Sequence, residues 1–515
     1  MITTPYDEVE YPGFPYPDTH PDHLATLATL FGMSPAPIET CRVLELGCGD
    51  GANLVPIALS LPASTCMGVD LASRAIERAR ACAGALGLAN VGFRCADIAG
   101  LDRDLGSFDY IIAHGVYSWV SLDVRDRLLA ACREHLAPHG VAFVSYNAQP
   151  GGHLREMVRG MMRFRARVVP PARQVDEGLA FAKWIAESTP SDDLRRILQS
   201  ELEVLGKREP SVIFHDELSS AYAPVYFCEF IDHAARHGLQ YLADAEFSSM
   251  QSARFPPPLA ETLHKIGDVL VKEQLQDFLR LRKFRQSLLC RAEVPLDRSL
   301  APARVRPLWA ASGARPEPSS LEGGADAGET FRTAEGWSLS TDHPLAKAAL
   351  RSLAKAWPRR IAVAALAAMA EVQLHGELGV TDGGPGLEQM LLTAYSTEFV
   401  DLHVCPGAFT LEVSARPLAS PLARWQLRRG VNVTTLRHAP IRIEDPLLRH
   451  LVVLLDGTRD HPTLLGDLAR FVRSGEGRLE RDGRVITEPE EVAGVLSREL
   501  PQALAGIARL ALLMS

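Results

Sequence analysis

The residues of this 515-residue chain best spaced to hold a ligand are Glu45, Gly47, Gly49 and Gly51, with Asp70 downstream. They lie in Val43-Leu44-Glu45-Leu46-Gly47-Cys48-Gly49-Asp50-Gly51, and Asp70 closes a second apolar run. An apolar strand ending in a glycine turn lets backbone N–H groups approach a ligand with no Cβ in the way. A carboxylate roughly 20 residues later suits the paired hydroxyls of a ribose. The chemistry implied is the grip on a nucleoside-containing cofactor, and at this level a nicotinamide dinucleotide is an alternative. No Ser-His-Asp arrangement or phosphate loop accompanies the turn.

The elements around these residues give them a place. Residues 42–48 and 65–71 read as buried strands, and Ser73 as the cap of a helix with Ile76, Ala79, Ala83 and Leu86 inward. Residues 91–97, 108–115 and 140–147 add three strands. A helix over about 123–136, with Val124, Leu128, Leu129 and Cys132 inward, separates the last two. Five strands alternating with helices predict an α/β fold with a parallel, doubly wound, Rossmann-like sheet. Ligands of such sheets lie outside the carboxyl ends of the strands. That edge carries the glycine turn, Asp70-Leu71, Asp97-Ile98, His114, Tyr117, Trp119, Tyr146 and Asn147.

Length predicts three or four domains. The sheet occupies residues 1–165. A mostly helical unit spans 166–295; it either stands alone or covers the site and adds residues 239–247 as a sixth strand. Residues 296–330, including Glu322-Gly323-Gly324-Ala325, read as a linker. A middle unit, 331–418, has helices at 346–355 and 360–371 and strands around 400–413. The last unit, 419–515, has helices at 447–455 and 463–473. A hairpin over 477–486, turning at Asp482-Gly483, completes a winged-helix-like arrangement.

The formal net charge of −9 argues against nucleic acid or an anionic membrane as a general partner. Residues 446–515 carry nine arginines, no lysine and ten carboxylates, so the winged helix has no basic stripe and reads as a protein-docking unit. Nine cysteines, with no Cys-x-x-Cys pair among the six from Cys41 to Cys132, suit a reducing compartment. No basic-then-apolar leader opens the sequence, and the run 361–369 is too short for a bilayer, so the expectation is a cytoplasmic protein without membrane insertion. His233 and His237 are one helical turn apart, but no third ligand with suitable spacing accompanies them, and no metal is expected.

Several motifs carry a closer resemblance. Glu-x-Gly-x-Gly-x-Gly is the pattern used for S-adenosylmethionine and resembles Rossmann-like class I methyltransferases. Asp97-Ile98, Phe108-Asp109-Tyr110-Ile111-Ile112 and Leu136-Ala137-Pro138-His139-Gly140 resemble further motifs of that class. The segments 11–21, 114–120 and 145–151, His215-Asp216 and the block 226–250 resemble bacterial methyltransferases with a methyltransferase regulatory domain. The best-known members are rickettsial protein-lysine methyltransferases that act on outer-membrane protein B. Pro421-Leu422-Ala423-Arg424-Trp425-Gln426 and Leu455-Asp456-Gly457-Thr458-Arg459-Asp460 are similar to that family's C-terminal domain. The resemblance is weakest over 296–330.

The resemblance implies S-adenosylmethionine as methyl donor, S-adenosylhomocysteine as product and a protein substrate, with a homodimer left open. Gly47, Gly49 and Gly51 would shape the turn against the methionine and ribose. Glu45 would orient that loop or receive the donor's amino group, Asp70 the ribose hydroxyls, Leu71 an adenine face, and Asp97 and Ile98 the adenine edge. His114 would adjoin the cofactor, as base or packed imidazole. Tyr117, Trp119, Tyr146 and Asn147 would surround the transferred methyl, while Phe14 and Tyr16 join Tyr117, Trp119 and Tyr146 against the substrate. A lysine ammonium, with a reference pKa near about 10.4, must lose its proton before it attacks. An aromatic channel favours its neutral form, and the hydroxyl of Tyr117 or Tyr146 would orient the amine. The alternatives are a small-molecule methyltransferase and a non-catalytic sensor of S-adenosylmethionine. His114-Gly115-Val116-Tyr117 stands where base-methylating enzymes carry Asn-Pro-Pro-Tyr, which removes the usual acceptor for a nucleobase amine.

Overall fold

A computed structural model describes residues 4–101, 105–318, 328–377, 386–481 and 484–514. Five apolar runs form strands β1 (Arg42–Leu46), β2 (Thr65–Asp70), β3 (Val91–Cys95), β4 (Phe108–Ala113) and β5 (Leu136–Asn147). All five are mutually parallel, in the order β3-β2-β1-β4-β5. The central strands β1, β4 and β5 are buried on both faces, which is why they read as apolar runs rather than alternating ones.

The sheet does not stop at β5. Strand β6 (Leu239–Asp244) joins it at the outer edge, and β7 (Phe284–Arg291) lies between β5 and β6, antiparallel to both. The result is a seven-stranded mixed sheet rather than an all-parallel one. Sequence reading missed β7 because its run carries Arg285, the largest fully buried side chain. Arg285 bonds Asp277 (2.8 Å), Glu273 (3.0 Å) and Asp244 (3.1 Å) and lies 4.1 Å over the Phe227 ring. One guanidinium thereby locks β7, β6 and the helix Val269–Arg280 together.

Two local details differ from expectation. Ser73 is the first residue of the helix Ser73–Ala85, not its cap. Ala72 holds the cap position, with its N–H taken by Asp70 Oδ1 at 2.8 Å. Residues 296–318 are not a linker: Val305, Leu308 and Ala310 are buried in the main core. The strand Trp309–Ala311 also pairs with Ile361–Ala362 and Asp401–His403. Proline- and alanine-rich composition hid these few apolar anchors. Residues 319–327, with Glu322-Gly323-Gly324-Ala325, lie outside the described residues.

Between β5 and β6 the helices Gly152–Ala166, Gln174–Ser188, Asp192–Leu205 and Pro210–Leu218 close on a small core of their own, including Val158, Met162, Leu198 and Ile213. Further along, the helices Pro344–Ala356 and Leu387–Ser396 share the core of the sheet. The strands expected around 400–413 reduce to Asp401–His403, because Pro406-Gly407 interrupts the extended run.

The C-terminal unit holds the helices Pro446–Leu454 and His461–Arg473 and the short strands Glu480–Arg481 and Arg484–Val485. The expected turn at Asp482-Gly483 lies outside the described residues. A 21-residue helix, Pro489–Arg509, completes a separate core with Leu496, Leu504 and Ile507. Its Pro501 disguises it in the sequence as a break. Among the described residues no helix is long and apolar enough to cross a membrane.

Arg285→Ala would strand three buried carboxylates. The expected cost is about 3–5 kcal/mol, read as a lower denaturation midpoint; an unchanged midpoint would show that the cluster is not holding β7.

Candidate active site

The glycine turn leaves β1 with Gly47, Gly49 and Gly51 at φ of +77°, +53° and +76°, a region that L side chains rarely adopt. A Cβ on Gly47 would overlap Val116, whereas Gly49 faces open space. Gly51 differs from expectation. It does not line the cleft, and a Cβ there would press on Phe93 and Ala79, so it serves close packing of the turn. Asp70 braces the turn with Oδ2, accepting from Gly49 N–H, and the start of the next helix with Oδ1, accepting from Ala72 N–H, at 2.8 Å each.

Glu45 is buried, and its Oε1 accepts from Asn53 Nδ2 at 2.8 Å. Its Oε2 is buried without a hydrogen-bond partner, and Glu45 is among the residues that line the cleft. Burial pushes the Glu45 carboxyl up to about 8, against the pull of the Asn53 bond and with help from Asp70 and Asp50. Such an orphaned oxygen suits a cationic ligand group.

The cleft encloses about 1010 Å³ along the carboxyl edge of β1, β2 and β4. Glu45, Gly47, Gly49, Asp70, Leu71, Asp97, Ile98, His114, Trp119, Asn147, Phe14 and Tyr16 all line it. Asp97 also caps the short turn Ile98–Gly100, accepting from Ala99 N–H at 2.9 Å. The His114 ring stacks on Tyr16 with centroids 3.6 Å apart, and Phe284 from β7 approaches it edge-on. Burial lowers His114 to about 4, so its imidazole is neutral near pH 7. Trp119 lies under the Arg155 and Arg159 guanidiniums at about 5.5 Å. Asn147 Oδ1 accepts from Arg155 Nη1 at 3.0 Å.

Tyr117 and Tyr146 do not line the cleft, contrary to expectation. Tyr146 points to the opposite face of β5 from Asn147, as alternation along a strand requires. It stacks on Phe230 with centroids 4.2 Å apart, and its hydroxyl bonds Ser287 Oγ at 3.0 Å. Tyr117 and Trp119 belong to one three-residue turn, where successive side chains diverge. Tyr117 turns inward, and its hydroxyl bonds His233 Nδ1 at 2.8 Å.

Sequence reading also missed a polar wall. Arg155, Arg208 and Asp216 line the cleft, both arginines reach Asp216 at 3.1 Å, and Arg155 bonds the fully buried Glu217 at 2.6 Å. The neighbouring His215 holds the N-terminal segment, bonding Val9 O at 2.7 Å and stacking on Tyr6. A second correction concerns His233 and His237. A third group does accompany them, Asp126 Oδ1, at 3.2 and 2.8 Å from their Nε2 atoms. It comes from the distant helix Leu122–His135, out of reach of a spacing rule.

The strand order, the left-handed glycine turn and the carboxylates after β1 and β2 define the class: a Rossmann-like methyltransferase. Residues 43–140 match the family described as a methyltransferase domain. Residues 209–291 match a predicted methyltransferase regulatory domain, and residues 415–512 the C-terminal winged helix domain of PKMT. The uncharacterized protein RP789 of Rickettsia prowazekii is 31% identical over 504 residues, covering 95% of this chain and 90% of its own length. RP028 of the same organism is 35% identical over 240 residues, covering 46% of this chain and 96% of its own. The structure of PKMT2 from Rickettsia typhi in complex with AdoHcy superposes with a TM-score of 0.87 at 27% identity. That match covers 98% of this chain and 100% of the other.

The chain belongs to the S-adenosylmethionine-dependent class I methyltransferases that carry a regulatory domain and a PKMT-type winged helix. Its cofactor is S-adenosylmethionine. Gly47→Ala is expected to weaken AdoHcy at least about tenfold, or ~1.4 kcal/mol, by calorimetry. Unchanged affinity would remove the turn from the site.

Proposed function

We propose that the chain N-methylates lysine side chains of protein substrates. The observation that carries this reading is the full-length likeness to PKMT2, joined to the aromatic wall of Tyr16, His114, Trp119 and Phe284 at one cleft. Gly47 and Gly49 would accommodate the methionine and ribose, Glu45 would pair with the ammonium of the donor, and Asp70 would take the ribose hydroxyls. Leu71 would cover an adenine face, and Asp97 beside Ile98 would accept from the adenine amine.

When bound, S-adenosylmethionine supplies an electrophilic methyl group on a sulfonium. The rest of the task is positioning and proton control by the chain. Ring faces of Tyr16, Trp119 and Phe284 exclude water from the lysine stem and favour its neutral amine. The neutral imidazole of His114 accepts a hydrogen bond from that amine and aims its lone pair. Asn147 Oδ1, fixed by Arg155, offers a second acceptor. Tyr117 and Tyr146 drop out of the chemistry, because their hydroxyls are engaged elsewhere. The polar wall of Arg155, Arg208 and Asp216 gives the flanking peptide charged partners.

Incubation with methyl-labelled donor and a denatured bacterial lysate should place label on protein lysines, identified after acid hydrolysis. Label in small solutes alone would overturn the reading. His114→Ala should lower kcat about 10²-fold while AdoHcy affinity stays near that of the parent; an unaltered kcat removes His114 from the site.

Glu45 adds a pH dependence. Its raised carboxyl is protonated in the free site below about pH 8 and must release that proton to pair with an ammonium. AdoHcy affinity should therefore climb as pH rises toward about 8 and lose this slope in Glu45→Gln. A flat profile in the parent protein would refute the ammonium assignment.

A further inference from the structure

Outside the cleft, one cluster of side chains has the composition and geometry of a metal centre. His233 lies on the helix Phe227–Arg236, and His237 caps its end one turn later. Both Nε2 atoms converge on one oxygen, Asp126 Oδ1, and the three ligand atoms lie within 4.8 Å of one another. Ligands of a tetrahedral zinc-type ion, with bonds of about 2.0–2.2 Å, sit roughly 3.4 Å apart. The triangle is therefore already close to the required size. We propose that Asp126, His233 and His237 bind a divalent transition-metal ion that bolts the methyltransferase sheet to the regulatory segment.

Two further observations support it. A metal-bound imidazole needs an outer partner on its other nitrogen, and the Tyr117 hydroxyl is 2.8 Å from His233 Nδ1. That hydroxyl can both donate and accept, so it holds either ring tautomer. Finally, Asp126 is more than half exposed, which leaves the outer side open for water as a further ligand.

Two imidazoles and one carboxylate favour zinc, cobalt, nickel or copper over magnesium or calcium. Asp126 falls in the segment matched as methyltransferase domain, and both histidines fall in the segment matched as regulatory domain. The ion would cross-link the two, next to the Tyr117–Trp119 turn that leads into the cleft. This inference is independent of the substrate proposed above.

Cobalt(II) titration of the full chain, followed by visible absorption and calorimetry, tests the site. The expected result is one saturable equivalent with weak d–d bands, displaced by zinc and accompanied by a higher Tm. Binding should weaken at least about tenfold in His237→Ala and in the isosteric Asp126→Asn, with AdoHcy affinity retained as the control for folding. Free thiols are the main competitor, since Cys95 and Cys228 are exposed; they would give intense near-ultraviolet charge-transfer bands instead. No saturable uptake, thiolate bands alone, or equal uptake in parent and both variants would overturn the site. The trio would then be a plain histidine–carboxylate–histidine bridge.

Discussion

The Asn53 carboxamide is the point on which the rest of the site depends. Buried at the end of the glycine turn, it donates to Glu45 Oε1 (2.8 Å) and Thr19 Oγ1 (3.0 Å). It accepts from the Tyr16 backbone N–H (2.9 Å) and His438 Nε2 (2.8 Å). Two donors and two acceptor positions are thereby all used. The four partners come from three parts of the chain: β1, the N-terminal segment and the C-terminal unit. One amide thus fixes which way the free Glu45 oxygen points, sets Tyr16 over His114, and ties the winged helix to the cofactor turn. An aspartate could not do this, because it has no N–H to offer Glu45.

Polar locks of the same kind join the other segments. Asp22, in the first turn of the helix Pro21–Leu30, bonds His403 Nδ1 (2.7 Å), Arg360 Nη1 (3.1 Å) and Val404 N–H (2.8 Å). Burial alone would raise the Asp22 carboxyl; the charges of His403 and Arg360 instead hold it well below its ordinary value. Arg285 does for the far edge of the sheet what Asp22 does here. Apolar packing supplies the common core, from Leu24 through Leu402, while these few buried ions set how the segments register against it.

The sheet was legible where chemistry and burial coincide. Strands β1, β4 and β5 are buried on both faces, and the glycine turn and Asp70 announce themselves by type and spacing. What escaped reading was decided by facing and by distance. A one-residue step sends Tyr146 away from the cleft and Asn147 toward it, and no composition distinguishes them. Strand β7 hides behind its buried arginine, and the helix Pro489–Arg509 behind a proline. Asn53, Arg155 and Asp126 acquire their roles only from partners far away in sequence, such as His438, Glu217 and His237.

The cleft is assembled from segments far apart in the chain, from Thr4 to Phe284. Its glycine turn and Asp70 are in place once β2 has formed, yet the Phe284 wall waits for β7, and the His438 bond to Asn53 waits for the C-terminal unit. During synthesis from the N-terminus, β5 presents an open edge until Phe284–Arg291 leaves the ribosome and pairs with it. A nascent or prematurely terminated product would own the nucleoside-binding loop without the enclosure around it. The enclosure around the glycine turn is thereby reserved for chains in which β7 and the C-terminal unit have folded.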